Sequence, residues 1–133
     1  MLKVSHPSMR KMLDVVAPFH GKTLKLFQNN HVASRNSVLA DFTEADFDGY
    51  APQTPVWGAS IQNGVEDVAL APVATFTAGA GLAGPQTIYG YYFLDDDGDY
   101  SWGETFTGGP TTVAIVGQEV KIYPQLKFKN YRE

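Results

Sequence analysis

Two aromatic-rich runs, residues 88–94 and 99–107, flank Asp97-Gly98, and this pattern constrains the chain more than any other toward an antiparallel β fold. Asp-Gly is a strong hairpin signal, because glycine readily takes the left-handed backbone that a two-residue loop needs. Such a turn sets Asp96 against Asp99. It then places Phe93 opposite Trp102, Tyr91 opposite Glu104 and Tyr89 opposite Phe106, all on one face. Ile88, Tyr92 and Leu94 fall on the reverse side. Both faces are therefore expected to be covered, one by the core and one by another strand layer or a subunit.

The rest of the chain supplies more short runs of the same kind. Leu24 and Leu26 alternate with polar neighbours in a strand over 22–27. Val68, Leu70, Pro72, Ala74 and Phe76 make a second period-2 run, which Pro72 confines to an edge or a bulge. Residues 113–116 and 119–128 read as a second hairpin around Gly117-Gln118, with Val120, Ile122, Leu126 and Phe128 on one face. Asp41-Phe-Thr-Glu44 resembles a capping box and predicts a short helical turn ending at Asp48-Gly49. Met9, Met12, Leu13 and Val16 recur at helical spacing, with Pro7 in a first turn and Pro18 as the expected stop. The predicted fold is mainly β: an antiparallel β-sandwich, with a jelly roll as one fitting topology, behind a short N-terminal helix. Residues 1–21 form the helical arm and 22–133 a single sandwich domain.

Charge is segregated along this chain of 133 residues. Residues 1–35 carry six cations against Asp14, residues 36–120 carry twelve carboxylates and no cation, and residues 121–133 carry four cations and Glu133. With no cysteine, disulfide scaffolds, thiolate zinc sites and thiol nucleophiles are excluded together. No apolar run approaches the ~20 residues of a membrane span. Asp14, Pro18 and His20 also interrupt the segment a signal peptide would keep apolar. A soluble, intracellularly made protein is the expectation.

Candidate chemistry is sparse. Aligned on Gly98, Asp95, Asp97, Asp99 and Glu104 match positions of a twelve-residue calcium loop, but Phe93 stands where the first carboxylate belongs and the flanks read as strands. An acidic, solvent-facing, metal-free hairpin tip is expected instead. His6, His20 and His31 lack ligand spacing, and no serine sits in a nucleophile-elbow pattern. Asp46 with Asp48, and Glu66 with Asp67, are adjacent carboxylates of the ordinary surface kind. The glycine-rich stretch 77–85 has no helix or lysine after it, which removes a phosphate cradle. No catalytic residue, cofactor or metal is expected. The aromatic middle is acidic, which argues against nucleic acid. Tyr50, Trp57, Tyr89, Tyr91, Tyr92, Tyr100 and Trp102 suit a core and a subunit interface. They also suit a glycan-stacking platform, for which Trp57, Tyr91, Tyr100 and Trp102 are the candidates.

Leu24-Lys-Leu-Phe-Gln-Asn-Asn30, Asp41-Phe-Thr-Glu-Ala-Asp-Phe-Asp-Gly-Tyr50, Tyr89-Gly-Tyr-Tyr-Phe-Leu-Asp95 and Val120-Lys-Ile-Tyr-Pro-Gln-Leu-Lys127 form a series of motifs. Together they resemble the small β-rich virion structural proteins of tailed bacteriophages, over most of the chain after residue 22. The resemblance implies a virion protein made in the host cytoplasm. Within that group a short, acidic, cysteine-free β domain is similar to capsid cement or decoration proteins, which clamp major-capsid subunits and often sit as trimers. A fibre or adhesin module that binds host glycans through aromatic loops is the alternative.

The residues add a docking hypothesis of their own. If the first and last strands are neighbours, the terminal cations gather at one end of the molecule and steer it onto an acidic lattice. Lys3, Arg10, Lys11, Lys22, Lys25, Lys121, Lys127 and Lys129 would supply charge there. Met9, Met12, Leu13 and Val16 would supply apolar area. The competing expectation is that these cations neutralise carboxylates of the same fold.

Overall fold

A computed structural model describes residues 4–129. Helix α1 (His6–His20) is followed by strands β1 (Thr23–Phe27), β2 (Ile61–Asn63), β3 (Glu66–Leu70), β4 (Ala74–Thr77) and β5 (Gln86–Ile88). Strands β6 (Gly90–Leu94), β7 (Tyr100–Thr105), β8 (Thr111–Val113), β9 (Glu119–Ile122) and β10 (Gln125–Lys129) complete the order. They form sheets β1-β6-β7, β10-β3-β2, β4-β9 and β5-β8, with every pairing antiparallel. The mainly antiparallel β fold with a short N-terminal helix is the one the sequence predicts. Leu24 and Leu26 of β1 and Phe93 of β6 pack with Phe76 of β4 and Val120 and Ile122 of β9 in the main core. Alternation of inward apolar and outward polar residues along each strand produces this sandwich-like packing.

The β6–β7 hairpin keeps the expected register where it matters, with Tyr91 opposite Glu104 and Phe93 opposite Trp102. Its tip differs from the expectation. Asp95 N–H donates to Asp99 O and Gly98 N–H to Asp95 O, so the loop has three residues and Asp95, not Asp96, faces Asp99. Gly98, at φ +84°, takes the left-handed position of that loop. The one-residue offset is cancelled by a bulge where Leu94 pairs Tyr100 and Phe93 pairs Trp102. Ser101 is the extra residue. It turns Tyr100 and Trp102, two apart in sequence, toward opposite faces. Trp102 stacks on Phe93 at 4.3 Å, while Tyr100 stacks on Phe42 at 5.0 Å. The reverse face of β6 is covered by Phe42 from the segment after β1, packed with Phe27, Tyr92 and Leu94.

The expected second hairpin does not form: β8 pairs β5, and β9 pairs β4. The two long period-2 runs are instead each broken in two and travel together. β4 runs against β9 and β3 against β10, and Ala71 N–H donates to Pro124 O between them. Pro72 and Pro124 lie in the breaks, where a missing N–H interrupts the ladder and the ribbon passes from one sheet to the other. Leu70 is consequently exposed while Ala74 and Phe76 are buried.

Two helix boundaries also move. The turn predicted to start at Asp41 lies before it, at Leu39–Asp41, with Asp41 Oδ2 accepting from Val38 N–H. Residues 43–45 are drawn instead against β1, where Thr43 O accepts from Gln28 N–H and Ala45 N–H donates to Leu26 O. Pairing with a strand outweighs the local cap. Pro18 does not stop α1, which runs to His20 and closes on Gly21, whose N–H donates to Ala17 O. Proline so near the end of a helix removes only one donor. Gly21 is required for space. A Cβ there would lie 2.7 Å from the Trp57 ring and 2.9 Å from the Trp102 ring.

Candidate functional site

Helix α1 uses its two sides differently. Leu13 and Ala17 are fully buried and pack with Ala69 of β3, Leu126, Phe128 and Trp57. One and two turns earlier, Arg10 and His6 sit over Asp67, which is wholly buried on β3. His6 Nδ1 lies 2.9 Å from Asp67 Oδ2 and Arg10 Nη1 lies 3.7 Å from Oδ1. The Arg10 guanidinium also donates to Gln62 Oε1 at 3.1 Å, and Asp14 Oδ1 accepts from Ser60 N–H. Oδ1 of Asp67 accepts no hydrogen bond among the described residues. The helix is therefore fixed to its own sheet by an apolar pair and an ionic cluster.

The outer side is apolar as well. Met12, Val15 and Phe19 recur at i, i+3 and i+7 and are 46%, 72% and 39% exposed. Met9 and Val16 lie half-buried at its margins, and Lys11 is exposed beside it. The sequence reading placed Leu13 and Arg10 among the docking residues, yet both face inward. It missed Val15 and Phe19, although their spacing from Met12 was visible.

The other docking cations do not gather as expected. β1 pairs β6 and β10 pairs β3, so the first and last strands are not hydrogen-bonded neighbours. Each nearby cation meets a carboxylate of the same fold. Lys25 Nζ is 3.2 Å from Glu44, Lys121 3.6 Å from Glu119, Lys127 3.7 Å from Glu66 and Lys22 4.0 Å from Asp96. Sequence segregation of charge is undone by the fold, because carboxylates of the middle segment come beside these cations in Lys25–Glu44, Lys121–Glu119, Lys127–Glu66 and Lys22–Asp96. Lys3 lies outside the described residues, and for Lys129 the backbone alone is described, opposite Glu66.

At the acidic tip, residues 96–99 are exposed as expected. Candidate ligand oxygens of Asp95, Asp97 and Asp99 come within 4.8 Å of one another. Asp95 Oδ1 already accepts from Asp97 N–H and Asp99 N–H, which ties this carboxylate to turn formation. Asp96 N–H donates to Phe19 O, so the tip also closes the last turn of α1.

The four stacking candidates are dispersed. Trp57 and Trp102 are half-buried with ring centroids 6.3 Å apart, both against Phe93, and Trp57 Nε1–H donates to Gly21 O. Tyr100 lies on the opposite face of the hairpin. Tyr91 lines an open groove between β9 and the β7–β8 connection, and its hydroxyl donates to Glu104.

Burial and carboxylate neighbours raise the pKa of several tyrosines. Burial pushes the Tyr92 phenol up to about 12, with Glu44 adding to it. Burial and the hydrogen bond to Glu44 raise Tyr50, burial and the bond to Glu104 raise Tyr91, and burial raises Tyr100. A folded-state value above the unfolded value of about 10 means that the fold favours the neutral ring. The stability contributed is complete below pH ~10 and is lost as pH rises through the folded-state values. In an alkaline titration, part of the tyrosinate absorbance should therefore appear together with loss of near-ultraviolet circular dichroism. Ionisation of every tyrosine near pH ~10 with that signal intact would contradict this packing.

No helix among the described residues is long and apolar enough to cross a membrane. No protein-family model matches this chain, and no curated protein or solved structure matches it either.

Proposed function

We propose that the chain is a non-enzymatic virion structural protein, a cement or decoration protein that binds the major-capsid lattice from outside. In this reading it assembles as a homo-oligomer, preferably a trimer, is made in the host cytoplasm, and engages neither nucleic acid nor membrane. The sequence resemblance supplies the virion context. The observation that carries the docking role is the outer face of α1, where Met12, Val15 and Phe19 stand exposed on a helix already fixed to its sheet. A helix held by Leu13, Ala17 and Asp67 presents those side chains at little entropic cost on binding. Unpartnered apolar area on a rigid element favours an assembly surface. The fibre or adhesin alternative drew on Trp57, Tyr91, Tyr100 and Trp102, which the fold disperses, with the two tryptophans half-buried against Phe93.

Deleting residues 1–20 would test this poorly, since it would bare Ala69, Leu126 and Phe128 and leave Asp67 without His6 or Arg10. Val15→Asp is the cleaner variant, because the side chain is 72% exposed. On capsids lacking the protein, Val15→Asp should reduce occupancy at least about tenfold with unchanged melting temperature, the loss of one buried aliphatic anchor plus the desolvation of a charge. Occupancy unchanged by Val15→Asp would place the docking face elsewhere.

A further inference from the structure

The open groove beside β9 has a volume of about 580 Å³. Its floor comes from the β6–β7 face. Tyr91 and Phe106 lie with ring centroids 6.4 Å apart at 47°, and Glu104 stands beside them with one oxygen accepting from the Tyr91 hydroxyl. Its wall comes from β9. Val120 and Ile122 point into the core, so the alternation turns Glu119, Lys121 and Tyr123 outward into the groove. Tyr123 is 70% exposed, and its backbone is restricted by the fully buried Pro124 that follows. Its ring is thus presented on a constrained backbone, and no core contact accounts for it.

The geometry points to this groove as a binding site for a short neutral oligosaccharide. Flat rings accept the apolar C–H faces of a sugar, while carboxylate and ammonium groups bond its hydroxyls. Glu104 keeps acceptor capacity beyond the Tyr91 bond, and the Glu119–Lys121 pair, 3.6 Å apart and exposed, offers both acceptor and donor. Two carboxylates against one ammonium disfavour an anionic ligand. A cationic peptide would also be drawn to rings and carboxylates, but Lys121 stands in the wall and opposes it. Of the three rings, Tyr91 is among the four stacking candidates read from the sequence and Phe106 and Tyr123 are not, and the inference does not depend on the capsid reading.

The test uses the free, full-length protein, with chitotriose, maltotriose, mannotriose and lactose as probes and an arginine-rich peptide as the competing class, followed by amide chemical-shift mapping. At least one saccharide should give saturable shifts confined to Tyr91 and residues 104–111 and 119–123. Tyr123→Ala should weaken that binding roughly three- to tenfold, the range expected for one aromatic contact. Tyr123→Phe should retain most of it. No saturable shifts with any saccharide, shifts mapping elsewhere, binding of the peptide alone, or an affinity indifferent to Tyr123→Ala would each overturn the proposal. Because no capsid is present, failure here is separable from failure of the docking reading.

Discussion

Phe93→Ala should destabilise the protein by about 3–5 kcal/mol, the usual range for truncating a buried aromatic ring. Phe93 is completely buried, stacked on Trp102 at 4.3 Å and met edge-on by Tyr91 at 5.8 Å, with Trp57 at 6.1 Å. Those three rings are held by strand pairing and by the Trp57 bond to Gly21, so they cannot collapse into the space. A domain of this size is stable by only about 5–15 kcal/mol, and the variant should sit close to its unfolding threshold at physiological temperature. Denaturant unfolding with an unchanged slope would measure the loss. A loss under ~1 kcal/mol would mean that the aromatic stack is not the centre of the core.

The ionic cluster under α1 should respond asymmetrically. Removing both partners, as in His6→Ala with Arg10→Ala, leaves Asp67 buried with a charge and no counterion. Breaking a buried pair from one side in this way costs about 3–5 kcal/mol. Replacing Asp67 by leucine removes the buried charge itself, and His6 and Arg10, both partly exposed, can turn to water. That change should cost markedly less, under about 2 kcal/mol, despite deleting the same contacts. Hydrogen exchange of the α1 amides, measured with thermal stability, separates local release of the helix from global unfolding. Equal losses in the two variants would show that the charge is not what Asp67 contributes.

The sequence revealed the strands through short-range chemistry and missed what long-range pairing decided. Leu24 and Leu26, the α1 periodicity and the Phe93–Trp102 register follow from local spacing, and all are present in the structure. The bulge at Ser101 has no local signature, since a three-residue loop and a compensating extra residue restore the same alignment. The partners of β8 and β9 were invisible for a similar reason: Gly117-Gln118 looks like a hairpin turn, yet Gly117 N–H donates to Ala78 O and ties the turn to β4 instead. Asp67 carried a readable clue. In β3 it shares the side of Ala69, an acid in an inward slot, and His6 and Arg10 stand four apart on the helix above it. The charge segregation misled, because Lys25 meets Glu44 and Lys127 meets Glu66 only once the chain is folded.

Copy number in purified particles tests the capsid assignment most directly. Quantitative mass spectrometry of capsids, washed at moderate salt and normalised to the major capsid protein, should give a fixed ratio related to the lattice, such as one copy or one trimer per repeated site. The same ratio should recur across independent preparations, and Val15→Asp should lower it. A ratio near zero in intact particles, or a handful of copies confined to tails or fibres, would contradict the assignment.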